Sequence, residues 1–316
     1  MNNDGFDKHV GFVNIGNTCY MNSALQIIVH CDVLSNIMLK SNKLMGELSE
    51  SYRRFIHEYN NSKNYSSITP DTIKYIMGNK YNSFVKSSQE DSHEFLICML
   101  DYLEEDFKKN NISLISGLFD CKMRTVIKST ESEQKSFKTE FVRFLCVPIP
   151  DKNNVTLEDC FNEYIKSDII SSWESPNKNK EDAIKETYIE EFPYYLIFQL
   201  KRFMFDGSSK KNDALVNVEE KWYSTIFSKN IYYELKGIVL QSGNLSGGHY
   251  VSYIKINNKW YCFNDSEVSK VKTKLIMKVV KKAYMLFYVR KNKKRESPTY
   301  YDSKMSLPNK KYKLIK

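Results

Sequence analysis

At 316 residues and 37.2 kDa, with 41% hydrophobic and 14% aromatic residues, the chain can bury a sizeable core in one large domain or two modest ones, which excludes a disordered polypeptide. No apolar run approaches the roughly 18 residues that span a bilayer, and the opening MNNDGFDKHV has neither a basic nor an apolar leader segment, so no membrane or secretory segment is expected. The formal charge of +9 is concentrated at the end: Lys291 to Lys316 holds nine Lys/Arg against two acidic residues, leaving a nearly neutral body that does not look like a nucleic-acid-binding domain.

The seven cysteines are odd in number, scattered and without a CxxC pair, which fits a reducing intracellular compartment better than a disulfide framework. The first stretch with chemical content is GFVNIGNTCYMNSALQ, Gly11 to Gln26. Gly11 and Gly16 mark irregular backbone, Asn17 and Thr18 are turn or N-cap types, and Ala24, Leu25, Ile27, Ile28 and Val29 fill a buried helix. Cys19 therefore lies at or near a helix N-terminus, where unpaired N–H groups and the macrodipole favour a thiolate over the ordinary buried thiol.

LMGELSESYRRFIHEY, Leu44 to Tyr59, carries apolar residues at helical spacing with charges between them, NNSKNYSSITP forms a polar loop ending in Pro70, and this half reads as mainly helical. SSQEDSHEFLICMLDYLEEDF follows, a helix whose apolar face is Phe95, Leu96, Met99, Leu100 and Leu103 and whose N-terminal end carries Gln89, Asp91 and Glu94. Acidic residues there complement the helix dipole. His9, His30, His57 and His93 lie among apolar or charged neighbours and read as structural or surface histidines.

From Gly117 to Pro150 alternation rich in Val, Thr, Ile and Phe predicts strands with a polar hairpin between them. FPYYLIFQLKRFMFDG reads as a buried strand, and the polar residues between Asp206 and Glu220 as a surface loop. In GNLSGGHYVSYIKI, Gly247 and Gly248 precede His249 at the entry to a strand, and glycines beside a histidine let another extended backbone pass closely. WYCFNDSEV comes one hairpin later, and AYMLFYVRK closes the folded part.

These stretches, in this order, resemble the ubiquitin-specific proteases, the papain-like cysteine deubiquitinases: GNTCYMNS with the following Gln, QEDSHEF, PYYLIFQLKRF, GGHY, WYCFND and AYMLFY. The resemblance implies an α+β papain-like fold, with a helical thumb over about residues 11–115, fingers and a β-rich palm over about 116–290, a short lead at 1–10 and a basic, disordered tail at 291–316. It implies that Cys19 is the nucleophile, His249 the base and Asn14 the oxyanion donor. Asn264 is the acceptor for His249 by alignment, with Asp265 as the alternative or as support for the oxyanion site. Asp91 and Glu94 would pair with arginines of ubiquitin's tail, with Gly247, Gly248 and Tyr250 also lining its path.

Many family members hold a zinc ion in the fingers with two CxxC pairs. Here Lys128 to Lys135 and Ser172 to Lys180 supply only polar residues at the corresponding places, and four thiolates cannot be assembled from Cys121, Cys146 and Cys160. No metal and no cofactor are expected, and the fingers should be metal-free and shortened or held by ordinary packing. The expected partners are ubiquitin and ubiquitinated proteins, with no membrane and with nucleic acid only through the tail. A ubiquitin-binding pseudoenzyme and a protease for a ubiquitin-like modifier are the rival readings.

Overall fold

The computed structural model describes residues 8–41, 46–203, 211–223, 231–243 and 247–292; the expected disordered tail after Asn292 and part of the 206–220 loop lie outside them, whereas Lys291 and Asn292, expected in that tail, end the last strand. The helical half comprises α1 (Cys19–Val29), α2 (Asp32–Lys40), α3 (Glu47–Asn61), α4 (Asp71–Lys80), α5 (Ser92–Lys108) and α6 (Leu114–Phe119), with short strands β1 (Gly11–Phe12) and β2 (Ser67–Ile68) pairing in parallel. α1 is the hub. All eleven of its residues are buried, which a helix tolerates only when it is surrounded, and it packs against α5 and the main sheet.

The rest is mainly β: β3 (Cys121–Ser129), β4 (Lys135–Val142), β5 (Leu145–Val147), α7 (Leu157–Ile165), β6 (Asp168–Glu174), β7 (Lys180–Glu191), β8 (Tyr195–Leu200), β9 (Lys221–Trp222), β10 (Ile231–Gly243), β11 (Gly248–Ile256), β12 (Lys259–Asn264), β13 (Glu267–Val271), α8 (Thr273–Val279) and β14 (Met285–Asn292). The main sheet runs β13-β12-β11-β10-β14-β8-β5, with β9 on β10; its pairs are antiparallel except β5 with β8. Alternation along β10 and β11 gives the sheet two apolar faces. Val239 and Ile254 join the helical core around α1, while Ile238, Leu240 and Tyr253 face the second core with Trp260, Ile276 and Val280. At a register shift in β10, Gly237 makes room for α1: a Cβ there would stand 2.7 Å from Ile27 Cδ1.

The smaller sheet is four-stranded, ordered β4-β3-β7-β6. Its two hairpin turns, where the sequence lacks thiolates, are joined by carboxylates. Glu181 accepts from the hydroxyls of Ser129 and Ser132, and the Asp182 backbone exchanges hydrogen bonds with Thr130 and the Glu131 side chain. Among the described residues no group of three or more His, Cys, Asp or Glu is arranged to hold a metal ion.

Arg202, from the LKRF stretch, is a core organiser. Its buried guanidinium donates to the carbonyls of Ala283, Asn212, Ala214 and Lys281 at 2.6–3.0 Å, tying β8 to the segment before β14. Burial lowers its pKa, with Asp213 opposing that effect.

Candidate active site

Cys19 opens α1 behind an irregular turn in which Gly16 has φ +108° and Asn17 φ +52°. Both are residue types that tolerate the left-handed region. The thiol is 1% exposed and donates to Gln89 Oε1 at 3.6 Å. Burial is the largest influence on it and raises its pKa above the ordinary value; the backbone N–H groups of Tyr250 and Tyr20 pull the other way, and Asp265 adds to the rise. The helix-terminus argument for a thiolate is therefore outweighed in this form of the protein, because desolvation penalises the charged state.

His249 sits at the start of β11, half-buried, its register fixed opposite Ser242 of β10. Its Nε2 lies 2.5 Å from Asn264 Oδ1 at the end of β12, so Nε2 carries the proton and Nδ1 is left for another partner. The next residue of the chain, Tyr250, turns its backbone N–H toward the Cys19 sulfur. Cysteine and histidine, 230 positions apart in sequence, are thus brought to one place by the packing of α1 on β11.

Asp265 is engaged by residues other than His249. It has φ +52° at the turn after β12, and its carboxylate accepts from Asn14 Nδ2 and Asn22 Nδ2, both at 2.8 Å. Asn14 is exposed, and its other amide atom is also fixed: Oδ1 accepts from the backbone N–H of Thr18 at 3.0 Å and of Gly16 at 3.2 Å. One N–H of Asn14 remains for a ligand beside the start of α1. The turn can approach because position 11 is glycine: a Cβ there would stand 2.4 Å from the Ser266 carbonyl oxygen, and Phe12 N donates to Asp265 O at 2.9 Å.

The segment before α5 forms the rim. Gln89, Glu90, Asp91 and Glu94 line a cleft of about 160 Å³ with Phe203, Gln241, Gly248 and Tyr250. Asp91 caps α5 by accepting from His93 N at 2.6 Å and Glu94 N at 3.1 Å, and its second oxygen accepts from Tyr284 OH at 2.5 Å. That carboxylate is committed to structure in this form. Glu94 is exposed, with its pKa raised by burial and then by Asp91 and Glu90. Gly247 is open: a Cβ there would meet nothing within 4 Å.

Sequence reasoning passed over two side chains that the geometry makes important. Asn22 holds Asp265 from inside α1, and Tyr284 holds Asp91. The available signal for Asn22 was an amide, like that of Gln26, within a mainly apolar helix, since a buried amide requires a partner.

A cysteine opening a buried helix and a histidine–asparagine pair on the facing sheet define a papain-like α+β protein. The chain belongs to the ubiquitin carboxyl-terminal hydrolase family, whose model matches residues 10–288. It is 28% identical over 328 residues to "Ubiquitin carboxyl-terminal hydrolase Usp2" of Drosophila melanogaster, covering 89% of this chain and 34% of that protein. It is 27% identical over 330 residues to "Ubiquitin carboxyl-terminal hydrolase 8" of Saccharomyces cerevisiae, covering 88% and 70%. Among solved structures, a chain of "Structure of the SAGA Ubp8/Sgf11/Sus1/Sgf73 DUB module bound to ubiquitin aldehyde" superposes with TM-score 0.76 at 24% identity, covering 91% of this chain and 70% of that one, a likeness of fold. The chain spans about a third of the length of the Drosophila relative and two-fifths of "Ubiquitin carboxyl-terminal hydrolase 4" of Saccharomyces cerevisiae.

Proposed function

We propose that the chain is a cysteine-type deubiquitinase that hydrolyses the isopeptide or peptide bond after the C-terminal glycine of ubiquitin. The observation that carries this reading is the His249–Asn264 pair, which leaves Nδ1 of the imidazole as the free nitrogen on a strand whose next amide faces Cys19. His249 takes the thiol proton and Cys19 attacks the carbonyl. Asn14, held by Asp265, donates to the developing oxyanion. His249 then protonates the departing lysine amine, and water attacks the thioester with His249 as base. The tail of ubiquitin would enter along Glu90, Asp91 and Glu94, with Gly247, Gly248 and Tyr250 on the other side. For Asp91 to meet an arginine it would have to share an oxygen already bound by Tyr284.

In this reading residues 11–290 are the catalytic domain, with the helices up to about residue 115 as thumb, the main sheet as palm and the smaller sheet as fingers. The chemistry requires no metal or cofactor. Among the described residues no helix is long and apolar enough to cross a membrane, and the seven free cysteines support a cytoplasmic or nuclear site of action.

The test is reaction of the full chain, wild type beside Cys19→Ala, with ubiquitin bearing a C-terminal thiol-reactive electrophile. A covalent adduct on wild type alone is expected. Ubiquitin held without an adduct would leave a pseudoenzyme, and adducts only with probes made from other modifiers would move the substrate to a ubiquitin-like protein.

A further inference from the structure

The near-zero charge of the body is a cancellation. From Val268 to Arg290 there are seven Lys/Arg and no Asp or Glu, a net +7, so the 267 residues before them sum to −5 of the total. The positive block includes α8 and the 3-10 turn Val280–Lys282 after it, which cover the sheet face opposite α1 by inserting Ile276 and Val280 beside Trp260. With Ile276 inward and about 100° per residue, Lys274 and Lys278 lie about 160° away on the outermost arc, and Leu275 and Met277 lie about 100° to either side. Lys282 lies in the 3-10 turn that follows and is exposed as well. These three lysines are exposed, and none has a carboxylate within ion-pair distance among the described residues.

We propose that this lysine face of α8 is a docking surface for the phosphate backbone of a nucleic-acid duplex, bound without sequence preference. A row of unpaired ammonium groups costs folding energy through self-repulsion and gains only when a polyanion covers it. Lysine serves as a point charge for phosphate, whereas base readout would call for arginine, asparagine or glutamine reaching into a groove. Val268 to Ala283 contains no arginine and no aromatic side chain on which a base could stack. A lipid surface fits less well. Leu275 and Met277 are 51% and 41% exposed, but they sit on opposite flanks with the lysines between them, so they cannot enter one bilayer together. Ile276, which anchors α8, belongs to the core on the side of the sheet opposite Cys19.

The experiment measures binding of the full chain to a fluorescent random-sequence DNA duplex of about 20 base pairs, from about 50 to 200 mM salt. Wild type is compared with Lys274→Gln/Lys278→Gln/Lys282→Gln, and reaction with the ubiquitin electrophile reports that each variant is folded. The basic residues after Asn292 are present in both proteins and cancel in the comparison. The expected result is weaker binding by the triple variant, with the slope of log affinity against log salt reduced by about 3, near one per lysine. The companion Leu275→Ser/Met277→Ser variant should bind the duplex as wild type does. No binding by wild type, an unchanged slope in the lysine variant, or binding of wild type to phosphatidylserine vesicles but not to the duplex would each overturn the proposal. The vesicle result would assign the surface to a membrane instead.

Discussion

Asn14 and Asp265 are separated by 251 positions and joined by a 2.8 Å hydrogen bond, with the far carboxylate oxygen held by Asn22 at the same distance. In the proposed mechanism Asp265 acts mainly through the amide it orients, beside the smaller effect of its charge on Cys19. Asn14→Ala removes the donor and should lower kcat by about 100- to 1,000-fold with a smaller change in KM. Asp265→Ala keeps the donor but frees it, and a loss of about 10- to 100-fold is expected. The double variant should be no worse than Asn14→Ala alone, since the two residues serve one contact. Independent, multiplying losses in steady-state cleavage of a ubiquitin fluorogenic substrate would detach Asp265 from the oxyanion site.

The same relationship explains what could and could not be read from the chain. Cys19, Asn14 and His249 stand in local runs whose turn and glycine chemistry is visible in one dimension. Asn264 and Asp265 are neighbours with similar acceptor oxygens, and the choice between them depends on direction: the strand alternation ends at Asn264, and the left-handed Asp265 turns the next side chain toward α1. Asn22 and Tyr284 act through partners 243 and 193 positions away, so no local pattern marks them. Thr156 and Asp159 form a capping box at α7, a helix whose local signal was there to be read; α2, α4 and α8 also went unread, because each is short and its apolar face is interrupted by polar residues.

Asn264 fixes the imidazole tautomer of His249. Asn264→Ala should reduce kcat by about 100-fold while leaving adduct formation with a strong electrophile measurable, and Asn264→Asp should recover most of the rate because an acceptor returns. Loss of activity in Asp265→Ala with none in Asn264→Ala would reverse the assignment.

Burial raises the Cys19 pKa, and its proton is shared with Gln89 Oε1. The thiol of the free protein is therefore mainly protonated at neutral pH. Alkylation of Cys19 by iodoacetamide, followed by mass spectrometry, should accelerate continuously from pH 6 to pH 9, rising by about tenfold per unit below the thiol's pKa. A rate already flat between pH 6 and pH 8 would mean a pre-formed thiolate and would contradict this geometry.

Arg202 satisfies four backbone carbonyls from a buried position. Arg202→Met leaves them without donors and should cost about 3–5 kcal/mol in urea unfolding. Arg202→Lys should rescue little of this, because an ammonium cannot reach the carbonyls that a planar guanidinium spans. A loss below about 1 kcal/mol would show that water replaces those bonds.

His30 contributes to the pH dependence of stability. Its ring is buried in α1's core, Nδ1 donates to Gln26 O at 2.7 Å, and Nε2 lies 3.3 Å from Tyr59 OH. Burial is the main cause that lowers its pKa from 6.5 to about 3, with Lys236 acting in the same direction. Because the folded value is depressed, the unfolded chain takes up a proton first as pH falls. The neutral-His contribution is fully present above about pH 6.5 and is lost progressively down to about pH 3, a change of several kcal/mol. Urea midpoints at pH 7.5, 6, 5 and 4 should fall steeply for wild type. In His30→Gln, which loses some stability at every pH, the fall should be shallower by about one proton's linkage. Equal pH slopes in the two proteins would mean that His30 titrates normally in the fold and that the acid sensitivity belongs to the carboxylates.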